Sequence, residues 1–311
     1  MGRCSLMSDS NSAKIAYLVL AHDHVEQLAR LIPHLRSSVA DVFIHIDGKV
    51  AIDPFERAVG SGAHFVAKRV PVYWGDYSQL AAILLLLEAA LAHPTQYDYL
   101  VLLSGTDYPL RSGAEIEQFF YQNRGTEFIN CVAMPSVAAS KPLSRLTDYK
   151  GRPGSAGWAM GKARRAAIRY GLAPKRDYRF YLDSLDPFAG STWWALTREA
   201  CVYINRFVAE NPKVMKFYEN TFNPDEMVIQ TILANSRFRA RMLHNVTFTD
   251  WSKGGLSPSP IGDSHIALFS ANPVLKSEDV YGAGEFLFCR KVLDLQISDK
   301  LDAMLRSRTR K

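Results

Sequence analysis

The chain has 311 residues, 48% of them hydrophobic and 22% charged, the proportions of a folded globular protein long enough to bury a sizeable core rather than of a disordered chain. Lysine and arginine number 37 against 31 aspartates and glutamates, giving +6 and a pI near 9.1. That excess suits phosphate-bearing ligands or an anionic membrane surface without requiring either.

The opening residues, MGRCSLMSDSNSAK, lack an apolar stretch of signal-peptide length and lack Ser or Thr where a myristoylation signal needs it. They read as a flexible lead over residues 1–13, ahead of a single domain over 14–311. Cys4, Cys131, Cys201 and Cys289 are scattered with no C-x-x-C pair, so reduced thiols in a cytoplasmic protein are expected, not a zinc or redox site. The most apolar run, residues 80–92, is broken by Glu88 and too short to span a bilayer; it reads as a buried helix.

From residue 14, KIAYLVLAH is a continuous apolar strand, VEQLARLIPHL has helical spacing, and DVFIHIDGK is a second strand. HFVAKRV follows as strand, YWGDYS as turn, QLAAILLLLEAALA as helix and YDYLVLLSG as strand. This alternation predicts an α/β fold with a mostly parallel sheet covered on both faces. Ligands in such sheets sit beyond the carboxyl ends of the strands, which brings His22, Asp47, Trp74 and Asp107 to one crevice. Residues 141–179 are rich in Lys, Arg and Gly, with Asp148 and Asp177 as the only acids; they read as a solvated loop and a basic surface helix. FAGSTWWALTREACVYI returns to strand then helix, NPDEMVIQTILANS opens another helix, and the loop-rich remainder ends in a basic helix.

Asn223, Pro224, Asp225 and Glu226 suit a helix start, with Asn at the N-cap, Pro at N1 and Glu closing a capping box. The same Glu226 suits a general base at the mouth of a crevice, and a capped first turn would hold it rigidly. Trp74, Trp158, Trp193, Trp194 and Trp251 all lie beside glycine-rich turns or strand starts. Each alone is more often core packing, but together they favour carbohydrate binding. Lys253 before a double glycine, and the Arg290-Lys291 pair, can neutralise a diphosphate without metal. There is no P-loop and no G-x-G-x-x-G after the first strand, against ATP hydrolysis and dinucleotide chemistry. His22, His24 and His45 lack metal-ligand spacing.

The segments IAYLVLAH, FIHIDGK, VYWGDYSQLAAILLLLEAAL, YDYLVLLSGTDYPLRSGAEIEQFF, GSTWWALTREACVYI, NPDEMVIQTIL and the late FLFCRKVLD resemble, in this order, the Core-2/I-branching family of glycosyltransferases (glycosyltransferase family 14). The combination of W-G-x-Y-S, S-G-x-D-Y-P, G-S-x-W and P-D-E carries the resemblance. It implies a GT-A-like, Rossmann-type fold, with about 14–125 as the nucleotide-binding half and about 126–311 as the acceptor-binding and catalytic half. It also implies an inverting transfer from a UDP-sugar without divalent metal or other cofactor. By motif, Glu226 matches the family's base and Lys291 its diphosphate lysine. Ala21, His22, Asp47, Trp74, Ser104 and Asp107 fall on the nucleotide and donor side, with Lys253 and Arg290. Trp193, Trp194, Asp225 and Trp251 fall on the acceptor side.

The stretch GDSHIALFS has no counterpart of the family's second diphosphate arginine, leaving His265, Lys253 or Arg290 in its place. The chain also shows neither the disulfides nor the Golgi anchor of animal members, which implies a bacterial cytoplasmic relative acting on a surface glycan or lipid-linked glycan. Contact with an anionic membrane fits the charge, and no nucleic acid is implied. The rival readings are a non-catalytic UDP-sugar- or glycan-binding protein on the same fold, and a nucleotidyltransferase, which the absence of an acidic metal pair disfavours.

Overall fold

The computed structural model describes residues 12–149, 163–164, 166–168, 170–172, 174–255 and 257–309. Its first strands are the apolar runs: β1 (Ile15–Ala21), β2 (Ala40–Ile46), β3 (His64–Phe65) and β4 (Tyr99–Ser104). Helices α1 (Val25–Leu35), α2 (Asp53–Val59) and α3 (Tyr77–Ala92) connect them. β5 (Tyr108–Pro109), α4 (Gly113–Gln122), β6 (Glu127–Ala133) and the short α5 (Ser144–Thr147) follow. β7 (Phe188–Thr197) then precedes β8 (Met242–Leu243). The central sheet runs β3-β2-β1-β4-β7-β6-β8. β7 is antiparallel to both its neighbours, and the other pairings are parallel. This is the mostly parallel, GT-A-like Rossmann-type arrangement that the resemblance implies.

Both faces of the sheet are covered, which is why β1, β2 and β4 are apolar throughout rather than alternating. On one face Leu28, Leu31, Ile116 and Phe120 of α1 and α4 pack against Tyr17, Val42 and Val101. On the other, Leu80, Ile83 and Leu87 of α3 meet Leu18, Leu100 and Trp194. α3 is apolar almost all round because it is enclosed, and Asp76 starts it by accepting the Ser78 N–H at 2.9 Å. Among the described residues no helix is long and apolar enough to cross a membrane.

HFVAKRV is strand only at its first two residues. The Val70 N–H is taken by His45 Nε2 (3.1 Å) and the Val72 N–H by Asp47 Oδ1 (3.1 Å). Side chains of β2 and its end thus replace the sheet ladder and turn the chain toward Trp74. The C-terminal part holds two further sheets: β5-β12-β9, with β9 (Thr247–Thr249) and β12 (Phe288–Arg290), and a hairpin of β10 (Lys276–Asp279) and β11 (Gly282–Glu285). The helices Asp263–Ala271 and Leu295–Thr309 bury Phe269, Leu301 and Met304 against Tyr108, Phe286 and Val292 in a third core cluster.

Candidate active site

The register Ala21↔Ile46 and Leu20↔Ser104 brings the carboxyl ends of β1, β2 and β4 to one level. The Asp47 N–H bonds Ala21 O (2.9 Å) and the Gly105 N–H bonds Leu20 O (2.8 Å), extending the strands into the loops. A Cβ on Gly105 would lie 3.0 Å from Ala21 Cβ. Asp47 is buried, its carboxylate receiving the Lys49 and Val72 N–H groups and pairing with the Lys49 ammonium at 2.9 Å. Burial raises its pKa, but Lys49 and those bonds outweigh it and hold it below the ordinary range. His22 stands exposed at the crevice, 3.3 Å from Asp23.

The turn after β4 docks the late Arg290-Lys291 segment. Asp107 is fully buried; the Ser104 hydroxyl and N–H both donate to its carboxylate, and Arg290 Nε lies 3.6 Å from its Oδ1. Burial lifts the Asp107 pKa above the usual range against the pull of Arg290 and Ser104. The Val292 N–H bonds Thr106 O (2.8 Å), and β12 pairs with β5, so Arg290 and Lys291 are pinned beside the strand end. The Arg290 guanidinium stacks 3.8 Å above the Trp193 ring. Its Nε is buried against Asp107 and makes no hydrogen bond among the described residues. Burial lowers the pKa of Lys291 and Arg290's charge adds to that, while Asp23 and Asp107 oppose it.

β7 carries the link to the other half of the site. Gly190 passes so close to β6 that a Cβ would sit 1.6 Å from Asn130 O. At that crossing the register shifts between Ile129 and Cys131. Beyond it, Ser191 O accepts from Gln230 Nε2 (2.7 Å), Thr192 Oγ1 donates to Asp225 Oδ2 (2.6 Å), and the Trp193 ring lies under Arg290. Trp194 is 1% exposed and packs in the core. Its assignment to acceptor binding is therefore corrected: strand alternation turns it inward.

Pro224–Glu226 is a 3-10 turn after Asn223, which is left-handed (φ 50°) and makes no side-chain cap. The expected capping box is absent, and the helix proper runs Val228–Ala234. Asp225 is buried and its Oδ2 also accepts from Gln79 Nε2 (3.0 Å), so it braces the turn against α3 and β7 instead of facing an acceptor. Burial, with Glu226's charge adding, pushes its pKa up to about 6. Glu226 Oε2 receives Lys141 Nζ at 2.6 Å and Arg145 Nη1 at 2.7 Å. Burial would raise the Glu226 pKa, but these two cations prevail and keep it below the usual glutamate range.

Lys141 and Arg145 are candidate site residues that the sequence pattern does not reveal. They lie in the basic segment that reads as a solvated surface, directly after the sharp Pro135-to-Lys141 loop. There Ser136 and Lys141 bond each other's backbone at 2.8 and 3.0 Å. Trp74 contacts the Phe222 ring edge-on at 5.4 Å, which joins it to the Glu226 loop. Trp251 is exposed, its indole N–H on Thr249 Oγ1, and Lys253 is exposed in the same turn. His265 does not replace the missing arginine: Nδ1 accepts the Gly262 N–H and Nε2 meets Asp250 at 3.2 Å. Trp158 lies outside the described residues.

The family model described as Core-2/I-Branching enzyme matches residues 15–268. That span takes in Lys141, Trp193 and Glu226 and ends before Arg290 and Lys291. Mouse xylosyltransferase 2 is 26% identical over 253 residues, covering 77% of this chain and 27% of that protein. A human β-1,3-galactosyl-O-glycosyl-glycoprotein β-1,6-N-acetylglucosaminyltransferase is 26% identical over 227 residues, covering 70% of this chain and 48% of that protein. The chain thus spans about a quarter to about a half of the length of these relatives. Among solved structures, 4-diphosphocytidyl-2C-methyl-D-erythritol synthase is 11% identical at a TM-score of 0.32, over 69% of this chain and 91% of that one, too distant to inform the site. With the match running through most of its length, the chain belongs to the Core-2/I-branching enzyme family.

Proposed function

We propose that the protein is an inverting glycosyltransferase that moves a sugar, N-acetylglucosamine or xylose, from a UDP-sugar to a hydroxyl of a glycan acceptor without a divalent metal. The observation that carries this is the junction on β7. Thr192 holds the acidic turn of Glu226 while the adjacent Trp193 lies under the Arg290 guanidinium. One strand thereby ties a carboxylate base to a cationic anion site.

In a single displacement, Glu226 takes the proton of the acceptor hydroxyl. The oxygen attacks the anomeric carbon, and the bond to the diphosphate breaks with its electron pair leaving on UDP. Arg290 and Lys291 are the fixed cations for the charge that develops there. The engagement of Asp107 with Ser104 and Arg290 supports cations in place of a metal at this strand end. His22 and the Asp47-braced loop border the nucleotide side, with Trp74 between them and the Glu226 loop through its contact with Phe222; Trp251, Lys141 and Arg145 border the acceptor side. A bacterial surface polysaccharide, assembled at the cytoplasmic face of an anionic membrane, suits the basic charge. Calorimetry across a panel of UDP-sugars tests the reading. Selective binding of one UDP-sugar, displaced by UDP, is the expected result, and failure of the whole panel to bind would reject it.

A further inference from the structure

We propose that the acceptor bears an anionic group, phosphate or carboxylate, that takes Lys141 and Arg145 over from Glu226 and so frees the base. This rests on the glycosyltransferase reading above and names the substrate class of its acceptor side.

Two cations converge on one oxygen of Glu226, with Lys141, Arg145 and Glu226 side chains only 9%, 15% and 23% exposed. Among the described residues, the other titratable groups facing this carboxylate are Asp225 and Tyr281, the latter at the tip of the β10–β11 hairpin. Asp225 is locked to Thr192 and Gln79, and among the described residues Lys141 and Arg145 pair with Glu226 and not with Asp225. Burial costs Lys141 more than Glu226 returns, and its pKa falls below the ordinary lysine value. Segment 141–179, which begins with these two residues, has 11 lysines and arginines against two acids. At the base itself, two cations share one carboxylate oxygen.

A carboxylate held by two cations is a poor proton acceptor. A neutral sugar offers Lys141 and Arg145 only hydroxyl oxygens, and hydrogen bonds to these are roughly half as strong as charge-assisted ones. They do not compete with Glu226 for its partners. An anionic group competes on equal terms, and once it holds the cations Glu226 regains its affinity for a proton. The exchange is balanced: two ion pairs change partner, and the proton then moves from the acceptor hydroxyl to Glu226.

The test uses the full chain saturated with UDP, which fills the diphosphate site. Inorganic phosphate, D-glucuronate and D-glucose are titrated by calorimetry, and the Glu226 carboxyl is followed by carbon-13 NMR, assigned from the Glu226→Gln spectrum. Phosphate or glucuronate is expected to bind about 10-fold or more tightly than glucose, and the midpoint of the Glu226 titration is expected to move up as it binds. Phosphate alone identifies a phosphate-bearing acceptor; glucuronate alone identifies a carboxylate-bearing one. The Lys141→Met/Arg145→Met variant should lose the anion, with the single Lys141→Gln and its melting temperature controlling for misfolding. Equal binding of glucose, anion binding unchanged in the variant, or an unmoved Glu226 midpoint would overturn the proposal. UDP binding on the same samples is a separate readout: a chain that holds the anion through Lys141 and Arg145 yet never binds UDP overturns the donor reading and leaves the anion site standing.

Discussion

The Gly75 carbonyl accepts the Asn223 N–H at 3.1 Å, fastening the turn after Trp74 to the loop that carries Glu226. Gly75 has φ 70°, and a Cβ there would lie 2.4 Å from the Phe222 ring and 2.8 Å from Asn223 Oδ1. Both the backbone conformation and the contact demand glycine. Gly75→Ala should therefore cost about 1–3 kcal/mol of stability and displace the Glu226 loop. The expected result is a fall in transfer rate of about 10-fold or more, because small misplacements of a reacting group are costly. UDP affinity, set mainly by Arg290, Lys291 and the Asp47-braced loop, should fall less than the transfer rate. Equal losses in UDP binding and transfer would show that the turn does not act through Glu226.

Glu226→Gln keeps the shape of the side chain and its place in the turn but removes the proton acceptor. Transfer should drop by about 10²–10⁴-fold while UDP binding, read by calorimetry, persists. Turnover near the parent level would remove Glu226 from the role of base.

The pH dependence follows from the same carboxylate. Lys141 and Arg145 hold Glu226 below the usual glutamate range against the opposing effect of burial. Lys141→Met removes one cation, so the Glu226 pKa rises and the base is protonated at a higher pH. The acid limb of the kcat/KM profile should move to higher pH. Stability follows with matching sign. A depressed folded-state pKa contributes stability that is present above the unfolded carboxylate value and lost as pH falls through the folded one. With that depression reduced, the variant should lose less melting temperature than the parent on acidification over this window. An acid limb that stays in place would mean that another group sets it.

The layered fold was legible because it rests on local pattern. β1, β2 and β4 are enclosed on both faces and so read as unbroken apolar runs, and α3 is apolar for the same reason. The ends of these strands could be aligned from the rule for parallel sheets. The roles of the polar side chains were harder to read. Asp47, Asp107 and Asp225 occupy the right loops, yet each is buried and bonded to protein, as Asp225 is to Thr192 and Gln79, far away in sequence. Trp193 and Trp194 are adjacent, and only the strand's orientation decides that one lies under Arg290 and the other in the core. Lys141 and Arg145 were hidden because a lysine aimed inward and a lysine in solvent have the same local pattern. The three-stranded β5-β12-β9 sheet pairs two- and three-residue strands far apart in the chain, too short to show a period.

Arg290 and Asp107 supply the last test, because they decide how the diphosphate is held. Arg290 is stacked on Trp193, paired with a buried Asp107, and lowered in pKa by burial against the opposing charge of Asp107. A lysine cannot reproduce a planar cation stacked on an indole. Arg290→Lys should therefore weaken UDP binding by about 10-fold or more, even though the charge is kept. Asp107→Asn removes the counter-charge that fixes the guanidinium and should lower UDP affinity as well, without creating any response to metal. In the parent chain, EDTA should leave transfer unchanged and added manganese should not raise it. If chelation abolished transfer and manganese restored it, Asp107 would have to leave Arg290 and coordinate the ion, and the assignment of the diphosphate to Arg290 and Lys291 would fall with it.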